Sequence, residues 1–333
     1  MDSKQENLIK DLNVLVLPLA ALGGLTVYLR LAWLFSDAGA RVTLVSDLLY
    51  TAKTCFPWLN IEKDSSEVDY RKNSSEYDLI IACYEKYFDS TALDYKNIAF
   101  VTAKKISKKA NVDGRAVEVK GIVYNGATRP FCLNSDAGIT MVQWVDRYVF
   151  DVYGIKSSPQ PLPIIKDVAL SGNKILIFPT TPHKQKNYWL SGFLLIANKL
   201  KSNGWDIEFV CMPSEESELK RKIKKFPVVS YASIEMLISR VYSSSVVISN
   251  DSGGGHLGSL CGVKTFTFTR RDKFFTWRPG FSGENQVISP VFRFKVLGNY
   301  IWRPFVPFLK VCNEIGKYKE DTKPQASSIK YRL

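Results

Sequence analysis

The stretch Val246-Val247-Ile248-Ser249-Asn250-Asp251-Ser252-Gly253-Gly254-Gly255-His256-Leu257-Gly258 decides how this chain reads. An apolar strand over Val246–Asn250 runs into three consecutive glycines, and an apolar helix over Leu257–Gly262 follows. A glycine turn at a helix N-terminus presents free backbone N–H groups, and the helix dipole adds partial positive charge. That combination is an anion site, and phosphate is the usual anion. Three adjacent glycines cost much backbone entropy, which weighs a ligand site above a bare turn. The spacing is neither G-x-G-x-x-G nor a Walker loop, so it supports neither a dinucleotide fold nor a P-loop NTPase.

Outward from this stretch the chain alternates. Strands are expected over Asn13–Pro18, Arg41–Ser46, Tyr77–Cys83, Asn97–Thr102, Lys174–Phe178, Asp206–Cys211 and Val246–Asn250. Helices are expected over Leu25–Asp37, Met141–Tyr153, Tyr188–Ser202, Glu215–Lys225 and Ile234–Ser243, with Gly154 closing the second of these. Strands alternating with helices indicate βαβ units and parallel sheets. The segment Ser157-Ser158-Pro159-Gln160-Pro161-Leu162-Pro163 reads as a stiff connector. The alternation restarts beyond it, so the fold class is α/β with two Rossmann-like domains facing a cleft. The expected boundaries are 1–156, 164–305, and a C-terminal helix and tail over 306–333 that packs back across both domains.

Composition agrees. The chain has 333 residues, 46% of them hydrophobic, which is too apolar for a disordered chain and long enough for two cores. Six scattered cysteines without a C-x-x-C pair, and only two histidines, argue against a close-spaced zinc site and favour a reducing compartment. Val14 to Leu29 carries no charge but is short for a membrane span and contains Pro18, Gly23 and Gly24. A buried strand, a glycine turn and a buried helix is the expected reading there.

The run Asn250-Asp251-Ser252-Gly253-Gly254-Gly255-His256-Leu257 resembles the signature of family 9 glycosyltransferases, the bacterial lipopolysaccharide heptosyltransferases. Small residues stand at Gly258 and Ser259 where that family has alanines, and Lys264 stands for a proline. Other blocks follow in family order: Ile177-Phe178-Pro179-Thr180-Thr181, then Lys186-Asn187-Tyr188-Trp189 with Phe193, then Cys211-Met212-Pro213-Ser214-Glu215, then Trp277-Arg278-Pro279. The resemblance implies the GT-B fold, with the nucleotide-sugar donor on the second domain and the acceptor against the first. It implies transfer of a heptose or related sugar from a nucleotide-diphosphate donor such as ADP-heptose to a lipopolysaccharide core or similar glycan. It implies no cofactor and no metal, with amides and side-chain cations in the place of an ion.

Residue by residue, the resemblance makes Lys186 the cation for the donor phosphate and Glu215 the ribose ligand. Asp251 and His256 would frame the diphosphate and sugar, with Thr180, Thr181, Ser252, Gly253, Gly254, Gly255 and Arg270 on the donor side. Each has a plainer rival. Lys186 lies in the basic run His183-Lys184-Gln185-Lys186, which alone reads as a solvated loop. Glu216 and Glu218 compete with Glu215. His256, near a helix N-terminus, is expected to be neutral, as site residue or structural cap. Asp251 either accepts the acceptor's proton or caps the following helix. On the acceptor side, Ala21-Leu22-Gly23-Gly24 matches a family motif whose aspartate is the general base, but Gly24 holds that position. This departure leaves open a related transferase using another activated sugar, or a silent nucleotide- or carbohydrate-binding protein.

The formal net charge of +13 attracts anions. No nucleic-acid module is recognisable, and a nucleic-acid partner is not expected. The partners expected instead are a nucleotide-sugar, a lipid-linked or core oligosaccharide acceptor and an anionic membrane surface, in a cytoplasmic protein peripheral to the inner membrane. Between Phe292 and Lys310 aromatic and basic residues mix, which suits an anionic interface. The competing expectation is that these aromatics pack the C-terminal helix onto the domains.

Overall fold

The computed structural model describes residues 9–64, 68–103, 105–108, 111–156, 162–164 and 172–321. Residues 157–161 of the proline-rich connector lie outside them. At its end, the Trp58 indole N–H donates to the Pro163 carbonyl at 2.8 Å.

Two six-stranded parallel sheets form the molecule. The first contains β1 (Asn13–Leu17), β2 (Arg41–Val45), β3 (Asn60–Glu62), β4 (Leu79–Cys83), β5 (Ile98–Thr102) and β8 (Arg129–Pro130), in the order β3-β2-β1-β4-β5-β8. Between them β6 (Val117–Val119) and β7 (Ile122–Tyr124) form a small hairpin. The second contains β9 (Lys174–Phe178), β10 (Asp206–Val210), β11 (Val228–Val229), β12 (Val246–Asn250), β13 (Lys264–Phe268) and β14 (Asn285–Ile288), in the order β11-β10-β9-β12-β13-β14. Both orders are the doubly wound 3-2-1-4-5-6 pattern. Each sheet therefore has a switch point where its first and fourth strands run side by side and the chain diverges, leaving a crevice at their carboxyl ends. A separate antiparallel hairpin pairs β15 (Phe294–Val296) with β16 (Asn299–Ile301).

The seven strands expected from short apolar runs are present, because strands buried on both faces read as continuous hydrophobic segments, whereas the sheet strands β3, β8, β11 and β14 are not among those expected. β4 and β5 are buried along their whole length. The helix Met141–Tyr153 (α2) has the expected ends: a capping box between Thr140 and Gln143, and Gly154 at φ 72°. Two helix starts differ from expectation in the same way. The helix expected from Leu25 begins at Leu22 (α1, Leu22–Asp37), and the one expected from Leu257 begins at Gly253 (α5, Gly253–Leu260). Both glycine turns are thus first turns of helices. Propensity counts glycine against a helix, and packing overrides it here. A Cβ on Gly254 would lie 2.5 Å from the Phe178 ring, and one on Gly255 2.5 Å from Ser249 Oγ. Only a bare backbone lets α5 settle on β9 and β12.

The two halves interlock. α5 packs on α1, where a Cβ on Gly253 would meet Leu22 at 3.0 Å. Met141 N–H donates to the Thr276 carbonyl at 2.9 Å, Thr276 Oγ1 to the Ser135 carbonyl at 3.0 Å, and the Arg278 guanidinium to the Gly138 carbonyl. Within the first half, Arg30 on α1 forms a two-point ion pair with Asp146 on α2. The C-terminal helix α6 (Phe308–Asp321) lies against α3 (Leu190–Ser202), and its Val311, Cys312 and Ile315 join the second core. The described part of the expected C-terminal packing is therefore onto the second half. No helix among the described residues is long and apolar enough to cross a membrane.

Candidate active site

The second switch point, between β9 and β12, gathers most of the expected donor-side residues. Asn250, the last residue of β12, is fully buried. Its amide donates to the Pro179 carbonyl at 2.7 Å and accepts from Tyr188 N–H at 2.8 Å. One side chain thus holds both ends of the loop 179–188, which explains why the motif has an asparagine there. Arg303 braces the same loop from outside, donating to the carbonyls of Asn187, Lys184 and Gln185. Neither Asn250 nor Arg303 had a role in the sequence reading, because each acts on residues far away in the chain.

The braced loop presents Lys186, whose Nζ lies 3.2 Å from Asp251 Oδ2. Asp251 does not cap α5: the N-cap is Ser252, and it makes no side-chain capping bond. The helix-capping alternative for Asp251 is corrected by this ion pair, since the carboxylate turns toward the lysine. Ser252 and Gly253–Gly255 instead supply backbone N–H groups at the start of α5. The three glycines serve helix packing, so their entropy cost alone does not argue for a ligand.

His256 is 6% exposed and sits one turn into α5. Its pKa is pushed down to about 4, chiefly by burial; Asp251 raises it and Lys186 lowers it. It is neutral at pH 7, as expected, with desolvation as the main cause. Its ring meets Trp277 edge-on at 6.4 Å and lies against Gly23 of the other half, and its Nδ1 has no hydrogen-bond partner among the described residues.

Thr180 Oγ1 donates to Glu215 Oε2 at 2.8 Å, so the β9 loop and the turn after β10 meet. The rival carboxylates point elsewhere: Glu216 pairs with Lys220 and accepts from Ser230, and Glu218 pairs with Lys222. Glu215 is therefore the one that faces the β9 end. Thr181 is turned into its own loop, donating to the His183 carbonyl at 3.0 Å. Arg270 stacks over the Tyr300 ring at 5.0 Å, and its carbonyl accepts from Arg293. No described contact joins Arg270 to the Lys186–Asp251 cluster.

The first switch point holds a carboxylate that sequence reasoning missed. A small cavity of about 20 Å³ is lined by Gly24 and Leu19 after β1, Cys83 at the end of β4 and Glu85 just beyond it, and Met141 and Trp277, among others. Glu85 is exposed, accepts from Thr102 Oγ1, and accepts from Cys83 Sγ at 3.3 Å. It stands two residues beyond β4, much as Asp251 stands one beyond β12. Trp277 touches both His256 and this cavity, so the two crevices adjoin. The only advance signal was position: Glu85 follows a buried strand at its carboxyl end.

Residues 156–272 match the model for glycosyltransferase family 9 (heptosyltransferase). This chain resembles glycosyltransferase family 9. The structure is similar to Escherichia coli ADP-heptose LPS heptosyltransferase II, with a TM-score of 0.65 at 13% identity, covering 93% of this chain and 99% of that one. A family 9 glycosyl transferase from Veillonella parvula gives 0.66 at 11% identity, covering 94% and 98%. An E. coli heptosyltransferase solved with ADP gives 0.64 at 13% identity, covering 92% and 99%. At such identities the likeness establishes the fold, which is GT-B. A sequence comparison with curated proteins finds no match.

Proposed function

We propose that this protein is a family-9-type glycosyltransferase. It would move a heptose or related sugar from a nucleotide-diphosphate donor to a lipopolysaccharide core or other lipid-linked glycan, at the cytoplasmic face of a membrane. The observation that carries the reading is the Lys186–Asp251 pair at the β9/β12 crevice, beside the first amides of α5 and the Thr180–Glu215 contact. A similar structure was solved with ADP and another with an ADP-heptose analogue, which favours an adenine nucleotide.

In this reading the donor diphosphate draws Lys186 from Asp251 and lies against the N–H groups of Gly253, Gly254 and Gly255. Glu215 and Thr180 receive the ribose. Preorganised cations and amides stabilise the charge that develops on the leaving diphosphate, the main contribution to rate in such a site. Gly24 cannot accept a proton, and Glu85 takes that role. The acceptor hydroxyl's proton passes to the Glu85 carboxylate, its oxygen bonds to the anomeric carbon, and the bond to the diphosphate breaks.

Purified protein should release ADP from ADP-heptose when given a core-glycan acceptor. Glu85→Gln should lower turnover roughly 100-fold or more while leaving ADP affinity in calorimetry unchanged. Asp251→Asn with full turnover would keep Asp251 out of proton transfer. The second reading, a silent binding protein, is favoured by Gly24; ADP binding without turnover by the wild type would establish it.

A further inference from the structure

The hairpin β15–β16 stands apart from both cores. Phe292 is 66% exposed and the tip residue Leu297 97% exposed, and Phe294, Val296, Tyr300 and Ile301 are exposed as well. Leu297 at φ 45° and Gly298 at φ 82° make the tight turn that holds the tip out. The competing expectation, that the aromatics of 292–310 pack inward, holds for only part of the segment: Trp302 is buried in the second core, and Phe308 packs against it. Phe292 and Phe294 touch Phe305 at the hairpin's base and leave the strands themselves uncovered.

The pairing register sorts the side chains. Phe294 opposes Ile301 on one face, while Lys295 opposes Tyr300 on the other. Lys295 and Arg270 both lie over the Tyr300 ring, and Arg293 ties the base of the hairpin to Arg270. From Asn285 to Asn313 the sequence has no acidic residue. A two-stranded hairpin with no covered face is marginal in water, and a contiguous apolar patch of this kind marks an interaction surface. An apolar tip beside aromatics and cations, on a segment without carboxylates, fits a surface that is apolar inside and anionic outside.

We propose that the β15–β16 hairpin is a membrane-docking element that inserts Leu297 and its apolar face into an anionic lipid bilayer. Arg270, Arg293 and Lys295 sit at the level of the headgroups. This deepens the proposed lipid-linked acceptor by naming the element that holds the enzyme at the bilayer. It is tested without donor or acceptor, so failure of docking and failure of transfer are separate results.

The test is co-sedimentation of the full chain with phosphatidylcholine vesicles, with and without phosphatidylglycerol. Binding should require the anionic lipid and weaken in high salt. Leu297→Asp keeps a residue tolerated at positive φ and removes the apolar tip; it should lower partitioning roughly tenfold or more. Lys295→Ala should lower it roughly fivefold. Both variants should keep the wild-type melting temperature, since both side chains are exposed. Equal binding to neutral and anionic vesicles would overturn the proposal, as would wild-type partitioning by both variants. Loss of a dimer in light scattering on Leu297→Asp, with no vesicle binding by the wild type, would assign the hairpin to self-association instead.

Discussion

Gly23 and His256 touch across the two halves: a Cβ on Gly23 would lie 3.2 Å from His256 Cδ2. The first turn of α1 is thereby fitted to the one buried ring on α5. Gly23→Ala would gain about 0.5–1 kcal/mol in helix propensity. The ring is buried and bounded by Trp277, so it has little room to yield. Net destabilisation of about 1 kcal/mol is expected, and a measurable gain in melting temperature would show that the ring yields freely.

Lys186→Ala leaves the nearly buried Asp251 carboxylate without its cation. Lys186 itself is partly exposed, so the cost is below that of a fully buried pair, about 1–2 kcal/mol. ADP affinity should fall by a similar amount, and the remaining binding should depend less on salt. Urea unfolding and calorimetry at two ionic strengths check the two halves of this expectation.

The depressed pKa of His256 sets a pH window. Its folded value is about 4, against about 6.5 when unfolded. Between these values the unfolded chain binds the extra proton, so stability falls as pH drops from 6.5 toward 4, by about 3 kcal/mol from this group. Above pH 6.5 His256 contributes no slope. Denaturation midpoints between pH 4 and 7 should show a smaller loss in His256→Gln than in the wild type.

Gly254→Ala tests packing against ligand geometry. The added methyl meets the Phe178 ring at 2.5 Å, and overpacking should cost about 1–3 kcal/mol. The thermal midpoint of the ligand-free protein should fall. A variant that unfolds like wild type and loses only nucleotide binding would assign Gly254 to the ligand alone.

Away from the site, Arg240 on the helix Ile234–Ser243 (α4) pairs with buried Glu208 on β10; burial raises that carboxyl's pKa, but the hydrogen bonds and charge of Arg240, with Tyr231 and Lys174, outweigh it and hold it below its ordinary value. Arg240→Ala should cost about 2–3 kcal/mol, with Tyr231 and Lys174 still facing the carboxylate. Turnover at a temperature where the variant stays folded should be unchanged. A selective loss of turnover would connect this pair to the site.

Seven buried strands, the helix Met141–Tyr153 with its cap and terminal glycine, and two successive α/β units could be read from the chain alone. These follow from local rules, in which neighbouring residues alone decide periodicity, capping and breaks. The glycine-rich stretch and the Lys186 and Glu215 blocks could be read as a candidate donor site through their resemblance to a family motif, since each is contiguous. Which groups meet follows instead from the order of the strands in space. The 3-2-1-4-5-6 order sets β9 beside β12 and β1 beside β4, strands well separated in the chain. That order pairs Lys186 with Asp251, brings Glu85 to the cavity beside Gly24, and starts α1 and α5 at glycines that propensity disfavours. It also divided one aromatic-basic segment into a buried Trp302 and an exposed hairpin, because burial depends on which surface lies opposite, and sequence spacing carries no record of that surface.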